Sequence, residues 1–326
     1  MNMLKVSCEV KPFNQFPLGG CFDEAYISAA DAFGVSNIEY LLNDERWLYI
    51  SDEGLAFSKY MRKALKKFEE EKALVSEEYA PDPDEAVSFT IEALRSGRLV
   101  ITKVIGIETV NCQSGKKTQR SSTVHWILVY GYDEEKECFL VLEHLTNISA
   151  RYMPCLASYD EYRKSYGKGY KKEPGKGIYI LGKSLGTSRS SNVLEEYISY
   201  YSATEKERNW EKNAVSEFLD QIANGEDRMM ILNEIIKKYQ RDAWIDERMG
   251  LKSVHIDEFI RELQLVRTNC IRLERGGSLE HTVQLKVHAE KAKNVYMAYY
   301  NDKAKLMEGL KDEKILSLET RRISES

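Results

Sequence analysis

Apolar positions change their period along the first half of the chain. From Cys21 to about Leu42 they fall at helical steps, with Ala25, Ile27, Ala29, Ala32 and Phe33 ahead of Gly34. Phe57 to Ala73 carries Tyr60, Met61, Leu65 and Phe68 at the same spacing beneath a lysine-rich outer face, which predicts a second helix. Pro81-Asp82-Pro83-Asp84 is a start signal for a helix from Glu85 to Arg95, and Gly97 is its stop. The period then shortens to that of strands. Arg98 to Ile107 is β-branched and apolar. His125 to Tyr132 and Glu137 to Glu143 are two further apolar runs around Asp133-Glu134-Glu135-Lys136, the pattern of an antiparallel hairpin. Ile178-Tyr179-Ile180-Leu181 predicts one more strand. Strands that pair locally after N-terminal helices predict an α+β domain rather than a doubly wound sheet.

The pattern changes again after a glycine- and serine-containing link, Gly182 to Ser191. Val193 to Tyr201, Glu205 to Ala223, Asp227 to Trp244, His255 to Arg272 and Leu279 to Leu310 all place apolar residues three and four apart, with Gly225, Gly250 and Gly276-Gly277 between them. Two domains are therefore expected: residues 1–185, α+β, and residues 192–326, mainly α-helical. Aromatic and aliphatic residues on the later helices are expected to form core. His255, His281 and His288 lie in these helices and are expected to be structural. No repeat period and no glycine-rich phosphate loop occurs, so no nucleotide cofactor is expected.

Composition narrows the function classes. At 326 residues the chain is long enough for two cores, and 43% hydrophobic with 30% charged residues describes a globular protein. A net charge of -5 gives no electrostatic case for nucleic-acid binding. No apolar run reaches the roughly 18 residues of a membrane-spanning helix. The stretch Met1-Asn2-Met3-Leu4-Lys5-Val6-Ser7-Cys8-Glu9 lacks a signal-peptide pattern, so a cytoplasmic protein without membrane association is expected. Cys8, Cys21, Cys112, Cys138, Cys155 and Cys270 are scattered without metal-site spacing; free thiols and no structural metal are expected.

One of these cysteines has the surroundings of a nucleophile. Cys21 follows Asn14-Gln15-Phe16-Pro17-Leu18-Gly19-Gly20 and opens the first predicted helix. The positive end of a helix dipole and unpaired amide groups favour thiolate over thiol, and the thiolate is the reactive form. A base is required to manage its proton, and an acceptor to orient that base. His125 opens a predicted strand and Glu143 closes its hairpin partner, so the two ends come side by side. Glu143 would accept from one imidazole nitrogen while the other faces Cys21. Gln15 would donate its amide to a developing oxyanion beside the Cys21 N–H.

This set resembles the papain-like cysteine fold, in which a Gln precedes a helix-opening Cys, and a His on one strand and an Asn or Asp on the next complete the site. The segment His125 to Glu143 is similar to the hairpin of bacteriocin leader-peptide cysteine peptidases and of the butirosin biosynthesis protein H family. The second group joins a papain-like N-terminal domain to a mainly helical region. That resemblance implies transfer of an acyl group from an acyl carrier protein or peptidyl carrier protein to a small-molecule amine, in secondary-metabolite biosynthesis. The helical domain would then bind substrate or carrier. An Asp followed by Pro is common where this chain has Glu143-His144, which leaves His144 and Asn147 as alternatives for the third member.

Two other readings use the same residues. A peptidase or amidase would employ water as acceptor, and an inactive papain-like binding module would keep the fold without chemistry. The basic, tyrosine-interleaved stretch from Arg163 to Lys176 is expected to be a solvated loop; its sharper reading is a docking surface for an acidic carrier protein. The sequence leaves the oligomeric state, including a homo-oligomer, open.

Overall fold

The computed structural model of the chain describes residues 5–6, 9–13, 21–35, 47–58, 74–119, 123–144, 152–172, 175, 177–183, 192–226, 228–251 and 253–324. In chain order the elements begin β1 (Lys5–Val6), α1 (Cys21–Ala32), β2 (Leu48–Ser51), β3 (Gly54–Phe57), β4 (Leu74–Tyr79) and α2 (Ala86–Arg95). They continue β5 (Leu99–Ile105), β6 (Glu108–Asn111), β7 (Lys117–Gln119), β8 (Val124–Asp133), β9 (Cys138–His144), β10 (Tyr152–Ser158), α3 (Tyr159–Lys172) and β11 (Ile178–Lys183). Five helices follow: α4 (Val193–Ala203), α5 (Glu205–Ala223), α6 (Met229–Arg248), α7 (Val254–Glu274) and α8 (Leu279–Ser324). The fold class is α+β, an antiparallel sheet with helices followed by a mainly helical region.

The chain divides into two compact units, Met1–Glu39 with Leu65–Ser190, and Tyr40–Ala64 with Ser191–Ser326. The division at Ser190–Ser191 falls in the glycine- and serine-containing link. The segment Tyr40–Ala64, expected with the first domain, groups instead with the helices. Its β2–β3 hairpin explains why: Leu48 is fully buried in the helical core, and its N–H donates to Glu211 Oε1 of α5.

The first unit is built on an antiparallel sheet in the order β4-β11-β5-β8-β9-β10-β6-β7, with β1 also paired to β8. Strand β5 is buried at every position, as expected for a strand covered on both faces. On one face Val100, Val104, Ile127, Val129 and Val141 pack with Ala86, Ala93 and Leu94 of α2 and with Tyr162 and Tyr166 of α3. Side chains alternate along a strand, so Trp126 and Tyr179 project to the other face. There their rings meet Phe22 of α1, at 5.2 and 5.4 Å between centroids.

Several elements differ from expectation. Helix α1 ends at Ala32, ahead of the expected Leu42, because Gly34 takes φ 79° and Val35 N–H closes back on Ala30 O. Most of the expected Phe57–Ala73 helix lies outside the described residues; Phe57 itself ends β3. The basic stretch expected as a loop is helical as far as Lys172. Tyr162 and Tyr166 anchor it, both fully buried, with hydroxyls bonded to Thr90 Oγ1 and Pro81 O at 2.9 Å each. Gly169 serves proximity rather than flexibility: a Cβ on it would lie 3.1 Å from Lys103 O of β5.

In the second unit the helices bury the stripes that their spacing predicts. Val215, Phe218, Leu219 and Ile222 of α5, Leu232, Ile235, Ile236 and Tyr239 of α6, Ile256, Phe259, Leu263 and Val266 of α7, and Leu285, Ala289, Ala292 and Tyr296 of α8 share one core. Its buried charges are paired: Lys238 with Glu211 at 3.0 Å, Lys303 with Asp246 at 3.0 Å, and Glu262 with His288 at 2.7 Å and Lys291 at 2.9 Å. His255 faces Asp302 at 3.3 Å, and His281 Nδ1 accepts from Ser278 N–H. Among the described residues no helix is long and apolar enough to cross a membrane.

Candidate active site

Cys21 is the first residue of α1 and is half-buried. Its sulfur accepts the backbone N–H of Trp126 at 3.4 Å. This amide is available because the paired register between β8 and β9 runs only from Asp133↔Cys138 to Leu128↔Leu142. Upstream of Leu128 the strand edge opens, and the sulfur occupies the position of a ladder acceptor. A donor on the sulfur, added to the first-turn amides of the helix, favours the anionic thiolate.

The residue before Trp126 is His125, 3% exposed, whose Nε2 lies 2.7 Å from Oε1 of Glu143, itself 2% exposed. The pair depends on a bulge. Near the turn, residues pair as Tyr132↔Phe139 and Gly131↔Leu140; beyond it, as Val129↔Val141 and Leu128↔Leu142, with Tyr130 skipped. An unbroken ladder would set Glu143 opposite Leu128, on the face away from His125. The one-residue slip sets it opposite Ile127, on the same face as His125 and diagonal to it. Diagonal neighbours stand about 7–8 Å apart, a gap that a side chain as long as Glu can span. The hairpin turn is held by Asp133, whose Oδ1 accepts from Glu135 and Lys136 N–H at 3.1 Å each, and by Glu137 at φ 48°.

With Glu143 accepting at Nε2, the proton of a neutral imidazole resides on Nε2 and Nδ1 carries the lone pair. Nδ1 is also the ring nitrogen nearer the main chain. The arrangement suits a base acting through Nδ1, with Glu143 fixing the tautomer and stabilising the imidazolium.

No family model and no curated protein matches the chain. Among solved structures, a chain from Bacillus anthracis described as a C39-like peptidase is similar over 56% of this chain and 100% of its own, with 13% identity and a TM-score of 0.34.

Of the residues singled out in the sequence, His125 and Glu143 are brought together as a pair, and the Cys21 sulfur is held at the N–H of Trp126, the next residue along β8. Gln15 and Asn147 lie outside the described residues, and His144 is described through its backbone alone, paired to Tyr152. One residue beside Cys21 is not singled out by the sequence: Tyr152, fully buried at the start of β10, whose hydroxyl lies 2.7 Å from Cys21 O and 2.5 Å from Trp126 O. Nothing in the sequence distinguishes it from the other tyrosines, twenty in all.

The other described thiols near the sheet are held toward their neutral form. Burial pushes Cys155 up to about 12 and raises Cys112 and Cys138. No group of three or more His, Cys, Asp or Glu among the described residues could hold a metal ion.

Proposed function

We propose that the chain is a papain-like cysteine enzyme that moves an acyl group from a carrier-protein thioester to an amine through an acyl-Cys21 intermediate. The observation that carries this reading is the buried 2.7 Å His125–Glu143 pair, next in sequence to the amide that holds the Cys21 sulfur. In the first half-reaction the Cys21 thiolate attacks the thioester carbonyl. The bond to the pantetheine sulfur breaks, and His125, carrying the proton from Cys21, delivers it to the leaving thiolate. In the second half the amine attacks acyl-Cys21, neutral His125 takes the amine proton, and the amide leaves with Cys21 restored as thiolate. Exchange between two thioesters is nearly isoenergetic, and amide formation from a thioester is downhill, so the sequence needs no energy source beyond the donor.

A carrier protein as donor is supported by the outer face of α3. Lys164, Lys168, Lys171 and Lys172 are exposed there, at steps that place them together on the helix surface, in the same unit as the site. Such a face favours encounter with an acidic partner. The test is turnover of acyl-pantetheine thioesters in the presence of a panel of primary amines. Amide product, absent in Cys21→Ala, is expected. Free acid with every amine would make the protein a hydrolase, and no turnover of any thioester would leave a binding module.

A further inference from the structure

We infer that Tyr152 is a positioning residue that clamps the nucleophile to the strand bearing the base; the inference rests on the reading of Cys21 as the nucleophile. Tyr152 and His144 are register partners, and so are Met153 and Glu143. At this end of β10 the Tyr152 hydroxyl reaches the first residue of α1. Its ring centroid stands 6.4 Å from that of His125. The side chain is fully buried, so its hydroxyl must find its partners inside the protein. Among them are the carbonyl of Cys21 at 2.7 Å and the carbonyl of Trp126 at 2.5 Å.

One hydroxyl hydrogen is thereby shared between two acceptors from different elements. Those acceptors belong to the residue carrying the sulfur and to the residue whose N–H holds the sulfur at 3.4 Å. A closed circuit results: Tyr152 hydroxyl to Cys21 carbonyl, Cys21 sulfur to Trp126 amide, Trp126 carbonyl back to the hydroxyl. A rotation of the first turn of α1 breaks one link, and a slide along β8 breaks another. A tyrosine kept only for packing would not require two carbonyls to converge on its oxygen. The clamp holds the sulfur on the amide that stabilises the thiolate, and so acts through Cys21 rather than on substrate.

The test is the pH dependence of iodoacetamide alkylation at Cys21, read on the peptide that contains it, in wild type and Tyr152→Phe. Wild type is expected to alkylate at Cys21 ahead of Cys112, and Tyr152→Phe to shift the midpoint to higher pH. Acyl transfer in that variant is expected to fall in kcat by about 10²-fold with KM little changed, the scale of an ångström-sized misplacement. A folded Tyr152→Phe with the wild-type midpoint and kcat overturns the clamp. If Tyr152→Phe does not fold, the hydroxyl proton of Tyr152 is followed by NMR in wild type. A slowly exchanging resonance that moves on alkylation of Cys21 supports the clamp, and a resonance that does not move overturns it. Wild-type Cys21 no more reactive than Cys112 would instead overturn the nucleophile reading itself.

Discussion

In the proposed mechanism a histidine buried at 3% exposure acts as a dependable base only if its tautomer is fixed, and Glu143, 2.7 Å from its Nε2, is the residue proposed to fix it. Two substitutions separate its charge from its length. Glu143→Gln keeps the shape but replaces the oxygen acceptor by an amide able to donate. The imidazole is then free to put its proton on Nδ1, where the lone pair is needed. Glu143→Asp keeps the charge but shortens the reach across the diagonal. Both are expected to lower kcat for thioester turnover by about 10²- to 10⁴-fold while the protein remains folded by circular dichroism. Full activity in Glu143→Asp would mean that the 2.7 Å bond is not part of the mechanism. At this scale the sequence singles out Cys21 and His125 because a nucleophile and its base demand particular residue types. It was silent on Tyr152, because what marks that residue is the convergence of two carbonyls on its oxygen, a property of the folded chain.

Among the elements, helix α3 shows how a sequence pattern misleads. Gly167 and Gly169 among lysines read as a mobile loop, whereas the chain there is a helix with two buried tyrosines. The two glycines are not equivalent, and alanine distinguishes them. A Cβ on Gly167 would meet Pro83 Cβ at 3.4 Å, an ordinary contact, so the helix propensity of alanine should prevail. Gly167→Ala is expected to stabilise by up to about 1 kcal/mol. On Gly169 the nearest atom would be a strand carbonyl oxygen at 3.1 Å, and backbone in a packed sheet cannot yield. Gly169→Ala is expected to destabilise by about 1–3 kcal/mol, the usual cost of overpacking. Denaturant midpoints read both signs, and shifts of the same sign would contradict this account of α3. The hairpin offers the complementary lesson. Its existence and turn were legible from the two apolar runs around Asp133, but the bulge at Tyr130 was not. No residue type announces a skipped position, yet that slip decides whether Glu143 shares a face with His125.

Across the whole molecule, the division into a sheet-based unit and a helical unit followed from the change of hydrophobic period near residue 190. The capture of Tyr40–Ala64 by the helical unit did not, because four-residue strands carry little periodic signal. That helical unit also has an electrostatic dependence of its own. Burial works against the charge of Glu262, but hydrogen bonds from Lys291 and His288 prevail and hold its carboxyl below the ordinary value of 4.5. A depressed folded-state value stabilises the fold at pH above the unfolded-state value, and that stability is lost as pH falls through the folded one. Because Glu262 joins α7 to α8, the helical unit is expected to lose denaturant resistance as pH drops below about 4.5. Glu262→Gln should flatten that part of the profile; an unchanged acid limb in the variant would show that other carboxylates govern it.

The central claim is that Cys21 carries the acyl group. Incubation with an acyl-pantetheine thioester without amine, followed by rapid acid quench and peptide mass spectrometry, reads it directly. The account predicts the acyl mass on the peptide containing Cys21, its removal on addition of a competent amine, and its slow appearance in His125→Ala. An acyl mass confined to Cys112 or another thiol, or none on Cys21 with any thioester, would contradict it.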